Sequence, residues 1–373
     1  MSDIDIERKR DALNAALASR LDQWLPGVIG GGADRTGAVW KAGHVKDGGL
    51  GSSLQVDLRR SAGQWFHHPE NRGGDPLGLI AYAKGCSMKE AWKIALDICG
   101  GDVPEITEAD RERARRQREA RDRAEAERRQ RMAGNARRIL FRDCQPELLN
   151  TPVEFYLAAR GIDLRKLGRP LGSLYFHPAL EHYGIGRRFP AMVAAIVGGD
   201  GQTIAIHRTW LVRRGNGQWD RVREKPDGGE GKLTLGSYKD AGGCIRLWAG
   251  ERVDPKTGEF VKGRSWAKAE AGSAITLVEG IENGLSIVVK RPERRVAGGV
   301  ALAGLASVQL PAAFTKVYIA GDNDPANPHA LQGFANAIEA HRSAGRDVFD
   351  LRPPADFKDW NDMLLGKRRK VAA

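Results

Sequence analysis

Two apolar runs in the last third of the chain each stop at a carboxylate. Ala274-Ile275-Thr276-Leu277-Val278 runs into Glu279, and Lys316-Val317-Tyr318-Ile319-Ala320 runs into Gly321-Asp322-Asn323-Asp324. Short apolar runs bounded by turn residues read as buried strands. A helical run at 284–289 separates them, and another at 331–342 precedes a further apolar run at 348–351. Strands and helices in alternation build a parallel α/β sheet. In such sheets ligands bind beyond the carboxyl ends of the strands, where these acids stand. Asp322 and Asp324 sit at i and i+2, so an extended segment aims both at one point. Asp359-Trp360-Asn361-Asp362 adds a third acidic cluster after Pro353-Pro354. Carboxylates converging in this way suit hard divalent cations, Mg²⁺ or Mn²⁺, with phosphates completing the shell. The competing reading makes the aspartates turn formers and Glu279 a surface charge. Glu after one strand and Asp-x-Asp after the next is more specific than either alone.

Charge narrows the partner. Lys and Arg number 59 and Asp and Glu 47, a net charge of +12, which points to a polyanion, nucleic acid first. No apolar run approaches a membrane span, and the polar Met1–Arg10 segment shows no secretory signal, so a cytoplasmic protein is expected. Cys86, Cys99, Cys144 and Cys244 are scattered and form no CxxC, which fits quiet thiols in a reducing compartment.

The pattern divides the 373 residues into four stretches. Residues 1–104 open with a helical pattern, Leu13, Leu17, Leu21 and Trp24, expected to stop at Pro26-Gly27. Short strands follow, with Leu54, Val56 and Leu58 alternating. Two helices close the stretch, one capped by Asp75-Pro76 and one running from Ser87 to Ile98 and ended by Gly100-Gly101. Residues 105–133 are nearly all charged and read as a solvated helical linker. Residues 134–271 carry helices at 135–143 and 151–160, then strands at 174–176, 191–197, 203–212 and 245–248, with a polar loop at 213–231. Residues 272–373 hold the α/β pattern and end in the basic tail Lys367-Arg368-Arg369-Lys370.

Ile275-Thr276-Leu277-Val278-Glu279-Gly280-Ile281-Glu282-Asn283-Gly284-Leu285-Ser286, Ile319-Ala320-Gly321-Asp322-Asn323-Asp324 and Lys358-Asp359-Trp360-Asn361-Asp362 together resemble a Toprim domain. That catalytic fold is shared by bacterial primases, topoisomerases and some nucleases, and the variant is similar to that of primase-like proteins of phages, plasmids and integrative elements. The resemblance implies that Glu279, Asp322 and Asp324 are catalytic and organise metal, with Asp359 as a further acidic ligand.

Upstream, Phe155-Tyr156-Leu157-Ala158-Ala159-Arg160-Gly161-Ile162, Arg187-Arg188-Phe189-Pro190, Ala205-Ile206-His207-Arg208 and Lys232-Leu233-Thr234-Leu235-Gly236 resemble the α+β polymerase core of bacterial primases, with altered spacing. The resemblance implies that Arg188, His207, Arg208 and Lys232 face template and nucleotide. For any single Arg, a surface ion pair is an equal competitor. The N-terminal order, through Gly63-Gln64-Trp65-Phe66 and Gly73-Gly74-Asp75, is similar to a primase zinc ribbon that lacks its cysteines. His44, His67, His68 and Cys86 match no standard spacing, so zinc is not expected. Lys41, Lys46, Arg59, Arg60 and Arg72 with Trp40, Trp65 and Phe66 are expected to hold single-stranded template by phosphate contact and stacking. Core packing competes for the aromatics, more strongly for Trp65 than for Phe66.

The expected whole is a multidomain protein, α/β in its Toprim part and α+β in its core. The expected activity is that of a DNA-templated RNA primase of a mobile element, a nucleotidyltransferase acting on single-stranded DNA and ribonucleoside triphosphates. Glu279 binds metal or relays a proton. No helicase-binding region follows the Toprim segment, so a replicative helicase would dock on another surface. A Toprim nuclease and a non-catalytic DNA-binding initiator are the alternatives.

Overall fold

The structure is a computed structural model that describes residues 3–29, 34–36, 39–43, 51, 53–58, 63–67, 70, 72–101, 108–223, 231–254, 256–324 and 327–369. It divides into two compact units, 1–121 and 122–373.

In the first unit, α1 (Asp3–Ser19) and α2 (Leu21–Ile29) precede an antiparallel sheet of β1 (Asp34–Thr36), β2 (Val39–Ala42), β3 (Leu54–Asp57), β4 (Trp65–His67) and β5 (Arg72–Gly74), paired in chain order. Two helices, α3 (Pro76–Lys84) and α4 (Met88–Cys99), complete it. Pro26 does not stop the helix as expected. It sits inside α2, whose Leu21, Trp24, Leu25, Val28 and Ile29 are all buried, and that packing outweighs the missing N–H. Asp75, Ser87 and Gly100 are the caps the sequence indicates, and Gly85 is a further one. Asp75 accepts from the Gly78 N–H, Ser87 and Glu90 form a capping box, and Gly85 and Gly100 close the helices in the left-handed region. Leu13, Leu17, Leu25, Leu54, Val56, Trp65, Leu77 and Ile80 form the core.

Helix α5 (Glu108–Arg138) continues from the charged stretch, with i,i+4 pairs such as Glu112–Arg116 and Glu125–Arg129 along it. In the second unit, α6 (Pro152–Ala158) is followed by β6 (Leu174–His182), β7 (Arg187–Val197), β8 (Thr203–Arg213), β9 (Trp219–Arg221) and β10 (Lys232–Leu235). Their order is β10-β8-β7-β6, antiparallel, and β9 also pairs with β8, so the supposed loop at 213–231 contains a strand.

A second sheet has the order β11-β15-β14-β16-β17. Its members are β11 (Ile245–Ala249), β14 (Ser273–Val278), β15 (Arg295–Gly298), β16 (Phe314–Ala320) and β17 (Asp347–Asp350), and a small hairpin of β12 (Glu251–Val253) and β13 (Phe260–Lys262) intervenes in the chain. Strands β14 to β17 are parallel and are joined through α7 (Ile281–Lys290), α8 (Leu302–Leu305) and α9 (Pro328–Ser343), with α10 (Trp360–Leu365) at the end. Edge strand β11 runs antiparallel and comes from the stretch grouped by sequence with the preceding strands. One core, including Met192, Ala194, Leu211, Leu247, Val278 and Leu285, joins the two sheets. Close approach requires Gly284 in α7, where an added Cβ would lie 2.5 Å from Leu247 Cδ1 and 2.9 Å from Val278 Cγ1.

Candidate active site

The register of the parallel sheet pairs Val278 with Ala320, so Glu279 and Asp322 leave neighbouring strands at the same level. Both line a cleft of about 670 Å³, together with Asp359, Asp362, Asn361, Asn283 and Glu282 from the C-terminal sheet and its helices. The facing wall comes from the antiparallel sheet and α6: Arg160, His207, Arg221, Arg223 and Lys232. Val300, also on the cleft, has φ 69°, a conformation that a β-branched residue rarely adopts and that concentrates at functional sites.

Asp324 does not line this cleft itself. Residues 321–324 leave the strand after Ala320, and Asp324 faces an adjoining recess of about 450 Å³ whose wall also includes Glu279 and Asp322. Asparagine amides hold the acidic loops. Asn323 Nδ2 donates to the carbonyls of Pro353 (2.9 Å), Pro354 (3.2 Å) and Phe357 (2.9 Å), while its backbone N–H donates to Lys358 O at 2.7 Å. Asn283 donates to Asp322 Oδ1 at 3.0 Å and accepts from the Asn361 N–H at 3.1 Å. Asn361 in turn donates to Arg160 O and Ser286 Oγ. Asp359 caps α10 through Oδ1.

Burial, then Asp359 and Glu279, push the Asp322 carboxyl up to about 6. Burial also raises Glu279, against the Leu302 backbone N–H and Lys232. Like charges forced together in this way are the arrangement a divalent cation relieves. Among the described residues no three His, Cys, Asp or Glu close around one point as a metal cage. Glu279, Asp322 and Asp359 offer oxygen donors alone, a chemistry suited to Mg²⁺, which characteristically takes one or two carboxylates and fills its shell with water and phosphate.

On the opposite wall, Lys232 Nζ lies 2.8 Å and 2.9 Å from the two oxygens of buried Glu282, which also accepts from the Tyr156 hydroxyl. Asp220 on β9 collects Arg160 (3.5 Å), Arg214 (3.7 Å) and Arg223 (3.2 Å), leaving guanidinium charge in excess beside the cleft. His207 lies in the cleft, but burial and then Lys232 lower it to about 4, so it is neutral at pH 7 and offers a hydrogen bond instead of a charge.

Arg208 is not in the cleft. It follows His207 on β8 and takes the other face of the strand, beneath the ring-packed side where its guanidinium lies 5.0 Å from Trp210. Arg188 is exposed on β7 opposite Glu181 and also lies outside the lining. In the first unit Trp65 is core: it is 6% exposed, donates to Asp75 O and stacks on Tyr82 at 4.7 Å, so no base can reach its face. Arg72 lies over Tyr82 at 4.7 Å, and Lys41 is half-buried on β2. Arg59, Arg60, Lys46, His44 and His68 lie outside the described residues. His67 is buried against the Tyr82 hydroxyl at 2.7 Å.

Residues 274–369 match the family model described as a Toprim domain. The C-terminal region is a Toprim domain. Residues 130–247, which carry most of the basic wall, match a domain of unknown function, DUF7146. No curated protein matches the chain. Among solved structures, the zinc-binding and RNA polymerase domains of the Aquifex aeolicus primase share 16% identity over 98% of this chain and 83% of that one, with a TM-score of 0.33. The primase fragment of the bacteriophage T7 primase-helicase protein shares 14% over 87% and 95%, TM-score 0.33. A DnaG primase catalytic domain bound to single-stranded DNA shares 13% over 64% and 76%, TM-score 0.38. At these scores the likenesses carry no residue assignment. Glu279, Asp322, Asp324 and Asp359 all fall within the matched Toprim span. Arg160, Arg221, Arg223, Glu282 and the three asparagines carry no sequence signal singly, although Glu282 and Asn283 lie within the motif itself.

Proposed function

We propose that this chain is a DNA primase, a nucleotidyltransferase that joins ribonucleotides on single-stranded DNA. The observation that carries the reading is the cleft with Glu279, Asp322 and Asp359 on one wall and Lys232, Arg160, Arg221 and Arg223 on the other. Phosphoryl transfer needs little covalent chemistry from a protein. It needs cations to place phosphates and acids to hold metal, facing one another across a space the size of a nucleotide. Mg²⁺ or Mn²⁺ held by Asp322 and Asp359, with Glu279 and Asp324 at its flanks, would neutralise the charge that develops on the triphosphate. Arg221 and Arg223 are suited to bidentate phosphate contact, and Lys232 to a point contact. Glu279 is placed to ligate the ion or to take the proton of the attacking hydroxyl. His207 donates or accepts a hydrogen bond as a neutral imidazole. In this reading the partners are a single-stranded template and ribonucleoside triphosphates, the protein works in the cytoplasm, and the replicative helicase is a further partner.

The test is incubation with single-stranded DNA, labelled ribonucleotides and Mg²⁺, with products resolved on a gel. The parent protein is expected to build short oligoribonucleotides and the Asp322→Asn variant is not. Shortening of the DNA without incorporation of label would replace the primase by a Toprim nuclease, in which water takes the place of the hydroxyl.

A further inference from the structure

The opposite end of the Toprim sheet also carries charge. Where β14 and β15 begin, a groove of about 540 Å³ is lined by Arg252, Arg294 and Arg295, and among the described residues none of the three forms an ion pair. Two of the groove's acids are engaged, Glu270 with Arg264 at 2.9 Å and Glu293 with Arg291 at 3.8 Å, which leaves Glu251. Arg295 turns its guanidinium over the buried Phe314 ring at 5.2 Å, which leaves Arg252 and Arg294 as the accessible cations of the groove.

The groove opens onto an aromatic row. Arg294 lies 4.4 Å over the Tyr318 ring, and Tyr318 stacks on Phe349 with centroids 5.0 Å apart at 23°. The register aligns Thr276, Tyr318 and Phe349 across three neighbouring strands, so the row crosses one face of the sheet. Phe349 is 43% exposed, and Lys316, two residues before Tyr318 on the same face, is exposed as well. An anion alone, such as an acidic peptide or free phosphate, would meet the arginines and leave the rings unused. Single-stranded nucleic acid uses both, with a base on the exposed Phe349 ring and phosphates on the guanidinium groups.

We propose that the groove and the aromatic row form a second site, for single-stranded nucleic acid, running from the end of the Toprim sheet away from the carboxylates to the middle of its face. It stands independently of the activity assigned to the cleft. The full chain would be titrated with fluorescein-labelled oligothymidylate at several salt concentrations. The same oligonucleotide carrying 5-iododeoxyuridine would be photocrosslinked and the labelled peptides identified by mass spectrometry. Crosslinks are expected at Tyr318 or Phe349. Phe349→Ala should weaken binding about tenfold and abolish that crosslink, with an unchanged thermal melt. Arg252→Gln, at an exposed residue, should lower the salt slope by about one and keeps the test decisive even if Phe349→Ala unfolds. Asp322→Asn, at the other end of the sheet, should leave the crosslink in place. Crosslinks confined to other peptides, or unchanged affinity and salt slope in both groove variants, would overturn the proposal.

Discussion

Lys232 and Glu282, fifty positions apart, form a two-pronged ion pair in which Nζ lies 2.8 Å and 2.9 Å from the two carboxylate oxygens. The lysine comes from the antiparallel sheet and the glutamate from the first turn of the Toprim helix α7, so the pair fastens the two walls of the cleft together. Burial by itself raises the Glu282 carboxyl, but Lys232 and the Tyr156 hydroxyl outweigh it and hold it at about 2.

Removing only the lysine leaves a buried, uncompensated carboxylate. Lys232→Met is expected to cost about 3–5 kcal/mol, and the double variant Lys232→Met/Glu282→Gln should recover part of that loss. Urea unfolding of the two single variants and the double variant measures the coupling. A depressed carboxyl contributes stability that is present above its ordinary value of 4.5 and lost as pH falls toward about 2. Glu282→Gln should flatten the stability–pH curve in that window.

His207 gives the curve a second window with a different midpoint. Its imidazole, held at about 4 against an ordinary 6.5, binds its proton later in the folded state than in the unfolded chain. Its contribution is therefore full above 6.5 and declines as pH falls from 6.5 to about 4. NMR titration of the ring nitrogens should show a neutral imidazole throughout the neutral range. A ring that titrates near its ordinary value would place His207 among the charged groups of the wall.

The third prediction sets stability against activity at Asp322. Its carboxyl is raised to about 6, first by burial and then by Asp359 and Glu279, so without metal its charge opposes folding at neutral pH. Asp322→Asn keeps the acceptor for the Asn283 amide and removes the charge. The metal-free variant should melt higher than the parent, by about 2–4 °C for each kcal/mol relieved. Nucleotide incorporation should fall by orders of magnitude. Calorimetry in chelator and the primer gel give the two readouts. A lower melting temperature would show that the carboxylate stabilises the loop.

Asn323 tests whether amide scaffolding places the carboxylates. Asn323→Asp preserves shape but turns a donor aimed at three carbonyl oxygens into an acceptor. It should impair activity more than Asn323→Ala, which only leaves the carbonyls unpaired at about 1–3 kcal/mol. The ranking of the two variants in thermal melts and in the primer gel decides the point.

Local chemistry was legible in the chain alone. Short apolar runs ending in Glu279 and in Asp322 and Asp324 define strands with acids at their carboxyl ends, and Asp75, Ser87 and Gly100 act as caps through contacts a few residues away. Tertiary structure decided which faces meet. The resemblance groups His207 with Arg208, but alternation along β8 and packing turn the first to the cleft and the second toward Trp210. The same holds for Trp65, whose ring is suited to stacking a base as well as to filling a core until Tyr82 covers it. Lys232 with Glu282, and Arg160 with Asp220, are partners across long stretches of chain and come from different elements. Periodicity sets the side a residue takes within its own element. The partner it meets depends on how the elements pack around a shared core, and that arrangement exists only in the folded chain.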